Sequence, residues 1–213
     1  MSYNIVVGHY NEDLNWLSSF DKDSIIVYSK GESTSIECIQ KFLPNVGRES
    51  HTYLYYIIEN YDNLPDVIFF TQGNIKDHTY PVQSDSYYST DKTYIEDNFL
   101  NINTISSLNI LRSIFKFGIS NDYHVASNSI EDKCIYSGRE FFSKFINNSI
   151  NLEESYIYIY YNGIFSVKRE AILSRSKEYY EELIKLLTHS SSPEVGHFFE
   201  RSWFYIFNLD KYL

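Results

Sequence analysis

The chain has little to cross-link it and little positive charge. Two cysteines, Cys38 and Cys134, are too few for a disulfide framework in 213 residues and favour a reducing compartment, read here as the cytoplasm. Lys and Arg number 18 against 28 Asp and Glu, giving a formal net charge of −10. That balance argues against nucleic acid as a partner, because binders of an extended phosphate backbone carry basic patches. A phosphorylated small molecule stays open, since one or two local cations suffice for it. No apolar run approaches the roughly 18 residues of a membrane span, and the amino terminus lacks the apolar segment of a signal peptide. There is no internal repeat and no sign of a second unit, so residues 1–213 read as one domain. Leu213 follows a helical pattern with no tail, which leaves room for further domains of a longer chain.

Aromatic residues are abundant instead, with 21 Tyr and 15 Phe in a sequence that is 43% hydrophobic. Tyrosine combines apolar area with a polar end and suits clefts and half-exposed faces.

The central signal is Asp66-Val-Ile-Phe-Phe-Thr-Gln-Gly-Asn-Ile-Lys-Asp-His78. Its four-residue apolar run lies between Pro65 and Gly73 and predicts a strand buried on both faces, as in a parallel sheet covered by helices. Tyr3 to Gly8 and Ser24 to Tyr28 predict two more such strands. A short helix carrying Leu14, Trp16 and Leu17 follows the first, capped by Asn11 or Asp13. Residues 32–46 read mostly as loop, and 48–61 as a helix with Tyr53, Leu54, Ile57, Ile58 and Tyr61 on one side. This order is a βαβ series, hence an α/β fold with a mostly parallel sheet.

Residues 79–150 are rich in Ser, Asn, Asp and Tyr and read as functional loops on the acceptor side of a cleft. Tyr156 to Tyr161 alternates Tyr with Ile, and 163–169 reads as turn and strand. A helix beginning near Arg169 or Ser176 runs to Thr188, buried through Tyr179, Tyr180, Leu183, Leu186 and Leu187. Another spans about 194–208.

Ligands of parallel α/β sheets bind beyond the carboxyl ends of the strands. Candidate residues there are His9, Tyr10, Asn11 and Glu12 after the first strand, Tyr28 and Lys30 at the second, and Gln72, Gly73 and Asn74 after the central one. Tyr10 can stack on a base, or the loop can simply cap a helix. Arg48 stands at a helix amino terminus, where free N–H groups and a guanidinium fork suit phosphate; the plain alternative is a surface pair with Glu49 or Asp66. Asp77 and His78 offer a carboxylate and an imidazole that suit Mn²⁺ or Mg²⁺, or form only a solvated turn. His197, Glu200 and Arg201 fall within one helical turn, as cleft residues or as ordinary surface links.

Together HYNEDLNWL, NVGRESHTYL, FFTQG and ERSW resemble nucleotide-sugar glycosyltransferases of the GT-A type, more closely glycosyltransferase-like proteins of fungi and large DNA viruses. The resemblance implies a single Rossmann-like domain, with 1–78 as the nucleotide-binding half and 79–213 as the acceptor and donor-sugar half. It implies a UDP-sugar donor, a hexose transferred to a glycan or glycoprotein, and a divalent metal. Tyr10 would then stack on uracil and Arg48 would hold the base or diphosphate. Gly163, Phe165 and Arg201 would bound the sugar, and Glu200 or a carboxylate from the middle region would act near the anomeric carbon. Mn²⁺ would be held by Asp77 with His78 or His197, or else mainly by the diphosphate. One departure stands out. The Asp-x-Asp expected after the central strand is replaced by Thr71-Gln72-Gly73-Asn74, with no carboxylate until Asp77. The rival reading is a non-catalytic carbohydrate-binding or interaction module with tyrosine platforms. A nucleotidyltransferase would call for a first loop richer in Gly and Lys.

Overall fold

Strands that are apolar at nearly every position need cover on both sides, and the computed structural model shows it. The structure describes residues 2–75, 89–101, 108–109, 115–118, 124–125, 130–146, 156–159 and 163–207. A mixed sheet joins β1 (Tyr3–His9), β2 (Ile25–Ser29), β3 (Ile39–Phe42), β4 (Val67–Gln72), β5 (Leu108–Asn109) and β8 (Phe165–Lys168) in the order β3-β2-β1-β4-β8-β5. Strands β1 to β4 are parallel, and β8 lies antiparallel between β4 and β5. Strands β6 (Phe115–Gly118) and β7 (Tyr156–Ile159) pair antiparallel as a second small sheet.

Side chains alternate across a strand, so each central strand feeds two cores. Val6, Ile26, Tyr28, Ile68, Phe70 and Phe165 belong to one, with α1 (Arg48–Asn60), α5 (Lys177–Ile184), α6 (Glu194–Glu200) and α7 (Trp203–Ile206). Ile5, Val7, Ile25, Val27 and Phe69 belong to the other, under Leu14, Leu17, Phe20, Ile95, Phe99 and Leu100. The first core is aromatic: Tyr53 lies 4.8 Å from Phe70, Phe70 5.4 Å from Phe165, and Phe165 5.2 Å from Trp203, all tilted. Each fully buried Phe contributes about 1.5–3 kcal/mol of transfer free energy, and tilted pairs add about 0.5–1.5. The architecture is therefore α/β, a mostly parallel mixed sheet flanked by helices, as expected.

Several local expectations need correcting. The stretch 32–46 contains β3, an edge strand whose Ile39 and Phe42 are exposed; a half-wet edge carries too few apolar residues to be read as a buried strand. The helix after the first strand is a 3-10 turn, Asn15–Ser19. Asp13 accepts from its first amide at 2.9 Å, whereas Asn11 instead accepts from the Glu32 amide at 3.0 Å. The expected start at Arg169 or Ser176 is resolved as two helices, α4 (Arg169–Ile172) and α5. The last helix is also two, because the Ser202 hydroxyl donates to the Phe198 carbonyl and the Ser202 amide to the Phe199 carbonyl at 2.8 Å. Within 79–150 the structure shows α2 (Lys92–Ile95) and α3 (Gly138–Phe141), each continued by a π-helical segment, besides β5 and β6. Among the described residues no helix is long and apolar enough to cross a membrane.

Candidate functional site

The carboxyl ends of β1, β2 and β4 converge with the amino end of α1 on a cavity of about 260 Å³. Its lining includes His9, Tyr10, Glu12, Lys30, Arg48, Glu49, Thr52 and Gln72.

The β1 loop is held from within. His9 is buried, with Nδ1 2.7 Å from the Ser29 hydroxyl and Nε2 3.1 Å from the Glu12 carbonyl. A carbonyl only accepts, so Nε2 carries the donated hydrogen. Glu12 Oε2 accepts from the Tyr10 amide at 2.7 Å and the Asn11 amide at 3.2 Å. The Glu12 side chain thus folds back on its own loop. Tyr10 is 51% exposed, an aromatic face at the mouth of the cavity.

The α1 side is strained and cationic. Gly47 (φ 63°) and Arg48 (φ 51°) both occupy the left-handed region, which only glycine tolerates without penalty. Their amides donate to the Ser190 and Ser191 carbonyls at 2.8 and 3.3 Å. No side chain caps α1 at Gly47. Arg48 donates from Nε and Nη2 to the Ser192 hydroxyl at 3.1 and 2.7 Å, so its guanidinium is aimed by a residue 144 positions away. Lys30 donates to the carbonyls of Val46 and Arg48, tying β2 to the start of α1. Burial pushes its ammonium down to about 8, against the opposing pull of Glu49. His51, behind it, is pushed down to about 4 by burial and by Lys30.

Of the residues expected to bind nucleotide, His9, Tyr10, Glu12, Lys30, Arg48 and Gln72 thus come together. Asn11 and Asn74 stand outside the lining: Asn11 holds Glu32, and the Asn74 carbonyl accepts from Gln72 Nε2 at 2.8 Å. Gly73 lies under Glu12, its amide donating to the Gly8 carbonyl at 3.0 Å. Tyr28 is fully buried and donates to Glu59 at 2.6 Å, three turns along α1 from the cavity. Of the surface partners weighed for Arg48, Asp66 pairs instead with Arg169 at 2.9 Å.

The sugar-side residues are more scattered. Phe165 is fully buried in the aromatic core. Gly163 is buried against Glu49, and its carbonyl accepts from the Tyr53 hydroxyl at 2.5 Å. His197 Nδ1 lies 3.7 Å from Glu200, and Arg201 donates to the His197 carbonyl at 2.8 Å. None of these three lines the cavity. The Tyr53 hydroxyl is held well above its usual range by burial, then by the charges of Glu49 and Glu200. Asp77 and His78 lie outside the described residues. Among the described residues no three His, Cys, Asp or Glu side chains converge as a metal site.

Sequence reasoning did not select Glu49, Thr52 and Ser191. Glu49 and Thr52 were within reach, since they sit one and four places beyond Arg48 on the same helix. Ser191 and Ser192 gave no signal, because only the fold brings them to Arg48.

No curated protein and no solved structure matches the chain. Over residues 5–212, nearly its whole length, the chain belongs to the family described as a protein of unknown function (DUF3431).

Proposed function

We propose that the chain is a GT-A type glycosyltransferase that binds a UDP-sugar in this cavity and transfers the hexose to a glycan or glycoprotein acceptor. The observation that carries the reading is the convergence of an exposed aromatic ring, Tyr10, with Lys30, Arg48 and the uncapped start of α1. All of it sits at the carboxyl ends of parallel strands. A base stacks on an aromatic face, and phosphate is met by a guanidinium fork, an ammonium and a helix amino terminus. The mixed sheet, with one antiparallel strand beside β4, agrees with the layout that the resemblance implies.

In the reaction, charge builds on the leaving diphosphate as the glycosidic bond to the hexose breaks. Arg48 and Lys30 stabilise that charge in a site partly shielded from water, where such contacts are strongest. Arg48 is pre-aimed by Ser192, and Lys30 is held by two carbonyls, so neither reorganises as charge develops. A divalent ion, Mn²⁺ or Mg²⁺, would supply Lewis-acid neutralisation of the same charge. The described residues do not by themselves form a place for it, and its protein carboxylate rests on Asp77.

Calorimetry with UDP and UDP-hexoses, with and without Mn²⁺, tests the reading. The parent protein binds UDP. Tyr10→Ala weakens binding by about 1–3 kcal/mol, as loss of one base stack does. Arg48→Lys loses affinity because the fork is gone while the charge stays. A folded protein that ignores UDP, or binds glycans indifferently to nucleotide, overturns it in favour of a carbohydrate-binding module.

A further inference from the structure

The base and diphosphate contacts leave one part of the cavity unused. Glu49 and Thr52 are three residues apart on α1 and therefore share a face, and both line the cavity. Thr52 is fully buried, yet its hydroxyl has no hydrogen-bond partner. Leaving a buried hydroxyl unpaired costs about 1–3 kcal/mol, so an unpaired one on a residue of the cavity wall points to a ligand or water that completes it. The Glu49 carboxylate is half-buried and takes no hydrogen bond among the described residues. Lys30 and Tyr53 feel its charge.

The backbone around Glu49 has been cleared. A Cβ on Gly163 would stand 3.0 Å from Glu49 Cγ and 3.2 Å from Oε1, and one on Gly8 would touch Glu49 Cβ at 3.4 Å and the Thr52 hydroxyl at 3.6 Å. Gly163, in the turn before β8, thus leaves the Glu49 side chain room that a larger residue would take, while Gly8 stands at ordinary contact distance from Glu49 and Thr52. An ordinary first-turn glutamate, favoured there by the helix dipole, needs no such clearance.

We infer that Glu49 and Thr52 form a hydroxyl-reading subsite, which recognises neighbouring hydroxyls of a sugar ring on the ligand bound in this cavity. A carboxylate accepts from two adjacent hydroxyls at once, and the threonine both donates and accepts. A second anion does not fit the subsite, because Glu49 would repel it. The ring is either the ribose of the nucleotide or the hexose of the donor. The assignment rests on the nucleotide-sugar reading of the cavity, and its test separates the two.

The parent, Glu49→Gln and Thr52→Val proteins are titrated with UDP, 2′-deoxy-UDP and UDP-glucose. If ribose is read, the parent binds UDP about tenfold more tightly than 2′-deoxy-UDP, and both variants lose most of that preference. If the hexose is read, the same pattern appears between UDP-glucose and UDP. Parent-like discrimination in both variants, or none in the parent, overturns the subsite. Should the parent bind no UDP, the nucleotide reading falls and millimolar ribose and glucose decide the subsite alone. Amide NMR shifts at Gly8, Glu49, Thr52 and Gly163 that vanish in Glu49→Gln uphold it, and their absence overturns it.

Discussion

Glu194 is the most exacting place to test the packing. The first residue of α6, it is completely buried, and three groups from the 124–134 region converge on its carboxylate. The Val125 amide donates to Oε1 at 2.6 Å, the Cys134 amide to Oε2 at 3.0 Å, and His124 Nδ1 lies 3.1 Å from both oxygens. The two amides use different oxygens, so Gln at this position must turn its NH₂ toward one of them whichever way it is placed. One strong bond becomes a donor facing a donor. A hydrogen bond to a buried charged group contributes about 1.5–3 kcal/mol, and one contact turns repulsive, so Glu194→Gln should destabilise by about 2–4 kcal/mol. Glu194→Ala leaves both amides unpaired beside a cavity and should cost about 3–5 kcal/mol. Urea unfolding at neutral pH reads the global loss, and hydrogen exchange should quicken first at the Val125 and Cys134 amides. A Glu194→Gln protein within about 0.5 kcal/mol of the parent, the range of surface substitutions, refutes the argument.

Lys30 makes two pH predictions of opposite direction. Its folded value of about 8 lies below the ordinary 10.5, so between those pH values the unfolded chain holds more protons and stability rises with pH, by up to about 3 kcal/mol. On the proposed function, affinity for UDP should fall from about pH 8 upward, as the ammonium proposed to meet phosphate loses its proton. Lys30→Met removes both slopes, and difference curves from chemical denaturation and calorimetry check them; slopes that persist in the variant would show that another group titrates. Gly47→Ala should cost about 2–4 kcal/mol in urea unfolding, since φ is 63° and the new methyl would meet the Leu187 carbonyl at 2.5 Å. A loss below about 1 kcal/mol would mean that the α1 turn relaxes freely.

The amino acid sequence by itself determined the central strands, because Ile5 to Val7, Ile25 to Tyr28 and Val67 to Phe70 are apolar on both alternating faces and have no other stable placement. It determined α1 through its apolar spacing. It also placed Tyr10, Lys30, Arg48 and Gln72 at one sheet edge, since parallel strands joined by a right-handed crossover end on the same side. Local pattern could not reach interactions set by long-range packing. Strand β3 is visible only once β2 offers its edge, and the breaks near Ser174 and Ser202 coincide with hydroxyls that donate to the Ala171 and Phe198 carbonyls of the preceding turn. Tyr28 looked like a strand-end ligand residue until α1 delivered Glu59 to its hydroxyl. Tertiary structure alone aimed Arg48 with Ser192, packed Gly163 against Glu49, and brought Tyr53 under the charges of Glu49 and Glu200. These are contacts between residues far apart in the chain, and no periodicity records them, because their geometry exists only after the two cores have closed on the sheet.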